Sequence, residues 1–103
     1  MIVELASLQT DADRTGEFEK ALSAGRAVLA RAQGHISNQL MASIERPGAF
    51  VIAVQWSTLE DHTERFVGSE LFDEFRAIVG SFLVEAPVVQ HFRLPGDPVT
   101  FES

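Results

Sequence analysis

Apolar positions recur along this chain with two different periods, and the switches between them mark its elements. From Ile2 to Gln9 they follow a short mixed alternation, which predicts a first strand. Phe18, Leu22, Gly25, Val28, Leu29 and Ala32 then step by three and four residues, the spacing of one buried helix face. Asp11-Ala12-Asp13-Arg14-Thr15 ahead of them supplies turn and N-cap chemistry, and Gly34, free to take a left-handed conformation, stops the helix. His35–Ile44 predicts a second strand and Ala49–Trp56 a third. Between them Glu45-Arg46-Pro47-Gly48 makes a turn, with Pro47 presetting φ at the first central position and Gly48 accepting positive φ at the second.

Ser57-Thr58-Leu59-Glu60 has the spacing of a capping box, in which Ser57 and Glu60 satisfy free amides at a helix start. A short helix through Phe66 follows, and Gly68-Ser69 breaks and recaps it. The next helix carries Leu71, Phe72, Phe75, Ile78, Val79, Phe82 and Leu83 as a wide apolar face. Pro87 ends it, and Val88–Leu94 predicts the last strand. The sequence is therefore read as an α+β domain of ferredoxin-like β-α-β-β-α-β order with an antiparallel sheet, over residues 1–94. The tail, 95–103, is irregular, and its Val99-Thr100-Phe101 is apolar enough to dock on a partner chain.

The third strand carries more than its own conformation. Phe50, Ile52, Val54 and Trp56 share one side, while Val51, Ala53 and Gln55 share the other. Both faces are mostly apolar, and two helices cover only one face of a four-stranded sheet. A second copy of the chain is the economical cover for the other, so the expectation is a homodimer packed sheet to sheet.

Charge and composition narrow the partners. Fifteen Asp and Glu stand against eight Lys and Arg, a net charge of -7 that repels phosphate backbones, so nucleic acid is not expected. Cys is absent, which excludes disulfides, thiolate metal sites and Cys nucleophiles. Met1-Ile2-Val3-Glu4 has no basic leader, and no apolar run approaches the ~20 residues that span a bilayer. A cytoplasmic protein without a membrane partner is expected. Eight of the nine aromatics are Phe, one is Trp, and Tyr is absent, so no phenol is available for acid–base work.

The element order, together with Val54-Gln55-Trp56, Leu59-Glu60-Asp61-His62, Phe66, Ser69, Phe72, Phe75-Arg76 and Pro87-Val88-Val89-Gln90-His91-Phe92, resembles the antibiotic biosynthesis monooxygenase family of dimeric α+β barrels. The resemblance covers roughly residues 1–94. It implies fold more than reaction, because the barrel hosts cofactor-free oxygenases, haem degraders and isomerases. Haem degraders of this kind carry an Asn on the first strand, a Trp on the short helix and a ligating His on the long helix. Glu4, Phe66 and Arg76 stand at those places here, which disfavours haem. Polyketide-oxidising members use an Asn and a Trp on central strands with Tyr and Arg nearby. The resemblance makes Asn38, Trp56 and Arg76 their counterparts, and leaves the Tyr without one.

Each candidate residue has a bland reading beside the chemical one. His62 is a general base near neutral pH, or a helix residue that is partly exposed or bonded to a backbone carbonyl. His91 faces a pocket or the dimer barrel, or is buried and satisfied across strands, and His35 is expected at an exposed strand edge. The three His are 27 and 29 positions apart with no metal-ligand spacing, so no metal is expected. Trp56 is core, or an aromatic wall whose indole N–H orients a carbonyl. Asn38 shares the parity of Ile36 and Leu40, and bonds either neighbouring backbone or a ligand oxygen. Arg76 neutralises a substrate anion, or bridges to Asp73, Glu74 or a partner-chain acid, while Asp61, Glu64, Asp73 and Glu74 read as solvated helix faces. Phe66, Phe72 and Phe75 converge with Trp56 and Asn38 on a pocket between helices and sheet.

No nucleotide-binding glycine pattern, GxSxG motif, flavin signature or haem signature occurs, so oxidation would be cofactor-free. In that reading His62 removes a proton from a small apolar or aromatic metabolite, Arg76 and Asn38 hold the oxyanion, and dioxygen reacts directly with the carbanion or phenolate. An isomerase or lyase on the same barrel, and a non-catalytic dimeric binding module, are the alternatives.

Overall fold

A computed structural model describes residues 1–100. Four strands, β1 (Ile2–Gln9), β2 (His35–Ala42), β3 (Ala49–Trp56) and β4 (Val88–Arg93), form one antiparallel sheet in the order β2-β3-β1-β4. Two helices, α1 (Thr15–Leu29) and α2 (Glu70–Val79), lie on one face, which gives the ferredoxin-like β-α-β-β-α-β order read from the sequence. Among these residues no helix is long and apolar enough to cross a membrane.

The register fixes which side chains share a face. Glu4 lies opposite Val54 on β3 and opposite His91 on β4, so all three project to the helix side with Ile2, Ala6 and Leu8. Phe50, Ile52, Val54 and Trp56 from β3 are buried there against Phe18, Leu22 and Leu29 of α1. At Gly25 an added Cβ would stand 2.9 Å from the Phe75 ring, so the missing side chain is what lets α2 lie close to α1.

Several boundaries depart from the sequence reading. β2 ends at Ala42, not Ile44: the Ser43 N–H closes the pairing by donating to the Ala49 carbonyl at 2.9 Å, and the chain bends from Ile44 onward. Gly48 has φ +84° as expected of this turn. α2 ends at Val79, and Gly80–Phe82 tighten into a 3₁₀ turn. The short helix expected before Gly68-Ser69 is a π turn, Asp61–Phe66, with the Val67 N–H reaching back five residues to the His62 carbonyl at 3.1 Å. Ser69 then caps α2 by accepting from the Phe72 N–H.

β4 is exposed along its whole length, and Val3, Leu5, Met41, Val51, Ala53, Val88 and Phe92 share the sheet face away from the helices. In the tail Val99 is 98 % exposed, and Phe101 of the expected docking segment lies outside the described residues.

Candidate functional site

Three of the four buried polar residues among those described, Glu4, Asp61 and His62, gather at one end of the sheet. Trp56, fully buried at the end of β3, donates its indole N–H to Glu4 Oε1 at 2.9 Å. The other carboxylate oxygen, Oε2, stands 3.4 Å from His62 Nε2. His62 stacks on the Trp56 ring with centroids 5.3 Å apart, and its Nδ1 lies 2.8 Å from Nε2 of His91. Trp56, Glu4, His62 and His91 thus form one continuous polar chain, brought from β3, β1, the π turn and β4.

Burial sets the charge state of this chain. It pushes the Glu4 carboxyl above its ordinary value, and the Trp56 N–H offsets only part of that effect. For His62, burial first and the neighbouring His91 second depress the imidazole to about 4. His62 is therefore a neutral ring at pH 7, with a proton on one nitrogen and a lone pair on the other.

The π turn that presents His62 is anchored from beneath. Asp61 Oδ2 accepts from the Thr58 N–H and Thr58 Oγ1 accepts from the Asp61 N–H, both at 3.2 Å, while Arg65 closes an ion pair on the other carboxylate oxygen. Burial alone would raise the Asp61 carboxyl, but Arg65 and Thr58 outweigh it and hold the group below the usual carboxylate range. The reciprocal cap is thus made by Thr58 and Asp61, one position on from the expected Ser57 and Glu60. Asp61 is a buried anchor and not the solvated residue its helix position suggested.

A cavity of about 460 Å³ opens between α2 and the sheet, within the range of small-molecule sites. Phe66, Phe72, Phe75, Ile52 and Val54 supply apolar walls, and the polar groups on its surface are Glu4, His62 and Arg76. Arg76 lies with its guanidinium carbon 5.7 Å from the centre of the Phe72 ring. No carboxylate of the described residues pairs with it. The expected bridge to Asp73 or Glu74 is absent because Glu74 reaches Arg31 instead, at 3.2 Å.

The sequence-derived candidates therefore divide. His62, Arg76, Phe66, Phe72 and Phe75 all reach the cavity. Trp56 does not line it, and its N–H is committed to Glu4, so it supports the site from below and leaves no donor for a ligand carbonyl. Asn38 is elsewhere: its Oδ1 accepts from Arg26 Nε at 2.7 Å and its amide nitrogen lies 2.9 Å from His35 Nε2. Both of its ends are thus occupied, one by Arg26 from α1 and the other by His35 three positions earlier on β2. His35 is half-buried against the edge of Trp56, where burial lowers its basicity, and not at an exposed edge. His91 is exposed, not buried, and its partner comes from the π turn rather than a neighbouring strand.

Glu4 is the residue that sequence reasoning did not place among the candidates. Its signal was present, since it interrupts the apolar side of β1 shared by Ile2, Ala6 and Leu8. The positions that the resemblance equates with the haem degraders' three residues, Glu4, Phe66 and Arg76, converge on the cavity.

The model of the antibiotic biosynthesis monooxygenase family matches residues 1–78. The chain belongs to that family. A candidate antibiotic biosynthesis monooxygenase from Bordetella bronchiseptica has a similar structure, with a TM-score of 0.85 and 33% sequence identity over 90% of this chain and 95% of that one. The uncharacterised Bacillus subtilis (strain 168) protein YczJ is 33% identical over 93 residues, 90% of this chain and 98% of its own length. SnoaB, a cofactor-independent oxygenase from Streptomyces nogalater solved in a mutant form, shares the fold at a TM-score of 0.78. At 14% identity over 93% of this chain and 94% of that one, it speaks to fold alone.

Proposed function

We propose that this family member is a cofactor-independent monooxygenase acting on a small apolar or aromatic metabolite. The observation that carries the reading is a neutral imidazole and a carboxyl, side by side on the surface of an otherwise apolar cavity that also holds the Arg76 guanidinium. That combination suits removal of a proton from an activated C–H or phenol, with Arg76 stabilising the resulting oxyanion. Phe66, Phe72 and Phe75 provide walls for a flat ring and keep water from the anion. The carbanion or phenolate then reduces dioxygen directly. When the reacting carbon is a CH₂ group, both its hydrogens leave, one oxygen atom stays as a carbonyl and the other departs as water, so no external reductant is required. SnoaB, described as a cofactor-independent oxygenase, is a precedent for such chemistry on this fold.

The test is oxygen uptake with a panel of naphthols, hydroquinones and anthrones, in the absence of added metal or flavin. Stoichiometric uptake with labelled oxygen entering the product supports the reading, and His62→Ala should lower that turnover about 10²-fold or more. Exchange of a substrate C–H with solvent deuterium but no oxygen uptake would instead assign an isomerase or lyase. Inert binding of the same compounds would assign a non-catalytic module.

A further inference from the structure

Both ring nitrogens of His62 are already engaged. Nδ1 lies 2.8 Å from His91, Nε2 faces Glu4 at 3.4 Å, and one ring face stacks on Trp56. A base needs a free lone pair at the substrate, and His62 has none to spare. Glu4 does, because its Oε1 accepts only the Trp56 N–H and each carboxylate oxygen accepts more than one hydrogen bond. Glu4 is also among the cavity's lining groups, whereas His91, at the far end of the chain, is exposed.

We propose that Glu4, His62 and His91 form a proton path from the cavity to solvent, with Glu4 taking the proton from the ligand and the two imidazoles carrying it out. With Glu4 ionised, His62 carries its proton on Nε2 toward the carboxylate and accepts from His91 at Nδ1. When Glu4 gains a proton from the ligand C–H or O–H and becomes the donor, both rings change to the Nδ1–H tautomer; the Glu4 proton then passes to His62 Nε2, the His62 Nδ1 proton to His91 Nε2, and the His91 Nδ1 proton to water. Each bond broken to hydrogen is matched by one formed, and the transfer leaves Glu4 ionised and both rings with their proton on Nε2, as at the start. The Glu4–His62 contact is longer than an ordinary hydrogen bond, and contacts of this kind tighten when a ligand binds. Burial makes the Glu4 carboxylate a stronger base and disfavours an imidazolium at His62, so the two transfers at the His62 ring run together.

Of the elements around the path, β3 contributes the neutral Trp56 and α2 contributes Arg76, the one cation among the described residues that line the cavity. The π turn also carries Asp61, whose carboxylate is committed to Thr58 and Arg65. The path has a use only where a substrate loses a proton in this cavity, so it rests on the function proposed above. Its test needs no substrate.

In the ¹⁵N-histidine-labelled protein, long-range ¹H–¹⁵N spectra report which His62 nitrogen bears the proton. As pH falls and Glu4 protonates, His62 should move from the Nε2–H to the Nδ1–H tautomer with the midpoint of the Glu4 carboxyl ¹³C shift. Glu4→Gln, whose amide N–H faces Nε2, should hold the Nδ1–H form throughout and abolish that transition. His91→Phe, which keeps the bulk but carries no proton, should slow exchange of the His62 ring N–H with solvent. A tautomer that ignores Glu4, or an exchange rate unchanged in His91→Phe, overturns the path. Absence of oxygen uptake, by contrast, would sink the monooxygenase and leave these spectra as predicted.

Discussion

Glu4 and His62 oppose one another in their demands on pH, and the sign of each can be read from its environment. His62 is depressed to about 4 in the folded chain, whereas an unfolded His titrates near 6.5. Between those values the unfolded chain binds a proton that the folded chain refuses, so acidification favours unfolding. Wild type should therefore lose stability relative to His62→Phe as pH falls from about 6.5 to about 4, measured as the difference in urea midpoint at successive pH values. A constant difference would mean that His62 is not held neutral by the fold. Glu4, raised above its ordinary value, acts with the other sign: its contribution is present in acid and is lost as pH rises through its folded pKa. Individual roles of this kind were only partly legible in the chain. Asn38 and Glu4 both sit on apolar faces of strands, but which one reaches the cavity depends on neighbours from elsewhere. Arg26 of α1 claims the Asn38 amide, and the cavity is left to Glu4.

Local rules placed the elements well where the deciding contacts are local. The Pro47-Gly48 hairpin, the α1 apolar stripe and the Ser69 cap all depend on residues within a few positions of one another. The π turn does not. Asp61 is buried against Gly34, 27 positions earlier, where φ is +83° and an added Cβ would collide with the carboxylate. The carboxylate is tied to Thr58 and Arg65 and cannot swing aside cheaply. Gly34→Ala should therefore cost about 2 kcal/mol or more, from left-handed strain together with the displaced anchor. It should also disturb the His62 ring stacked on the single Trp, which makes Trp56 fluorescence a direct reporter. Gly16→Ala in the first turn of α1 is the control. It meets nothing within 4 Å and should be neutral or stabilising by up to about 1 kcal/mol. Equal thermal midpoints for the two variants would show that the Gly34–Asp61 contact does not hold the turn.

The architecture leaves one account open at the sheet's second face. α1 and α2 bury the side carrying Trp56, yet Val3, Leu5, Val51, Ala53, Val88 and Phe92 lie together on the other, and Phe92 is 44 % exposed. β4 has neither face covered along its length, although Val89 and His91 belong to the cavity and the polar chain beside it. This pattern was readable in β3 before any fold was known, because alternation assigns Val51 and Ala53 to the face that helices cannot reach. A second copy offers a surface of the same apolar character, and a two-fold pairing of sheet faces is self-complementary by construction. The chain should therefore scatter light at micromolar concentration as a particle of twice 11.3 kDa, with more than ~1,200 Å² buried between copies. Val51→Lys would place an unpaired charge at the centre of that contact, while its side chain points away from the helix-side core. It should shift the mass to 11.3 kDa with the helical signal retained. Wild type at 11.3 kDa would show that the open face meets water unaided, and the sheet-to-sheet dimer would then fall.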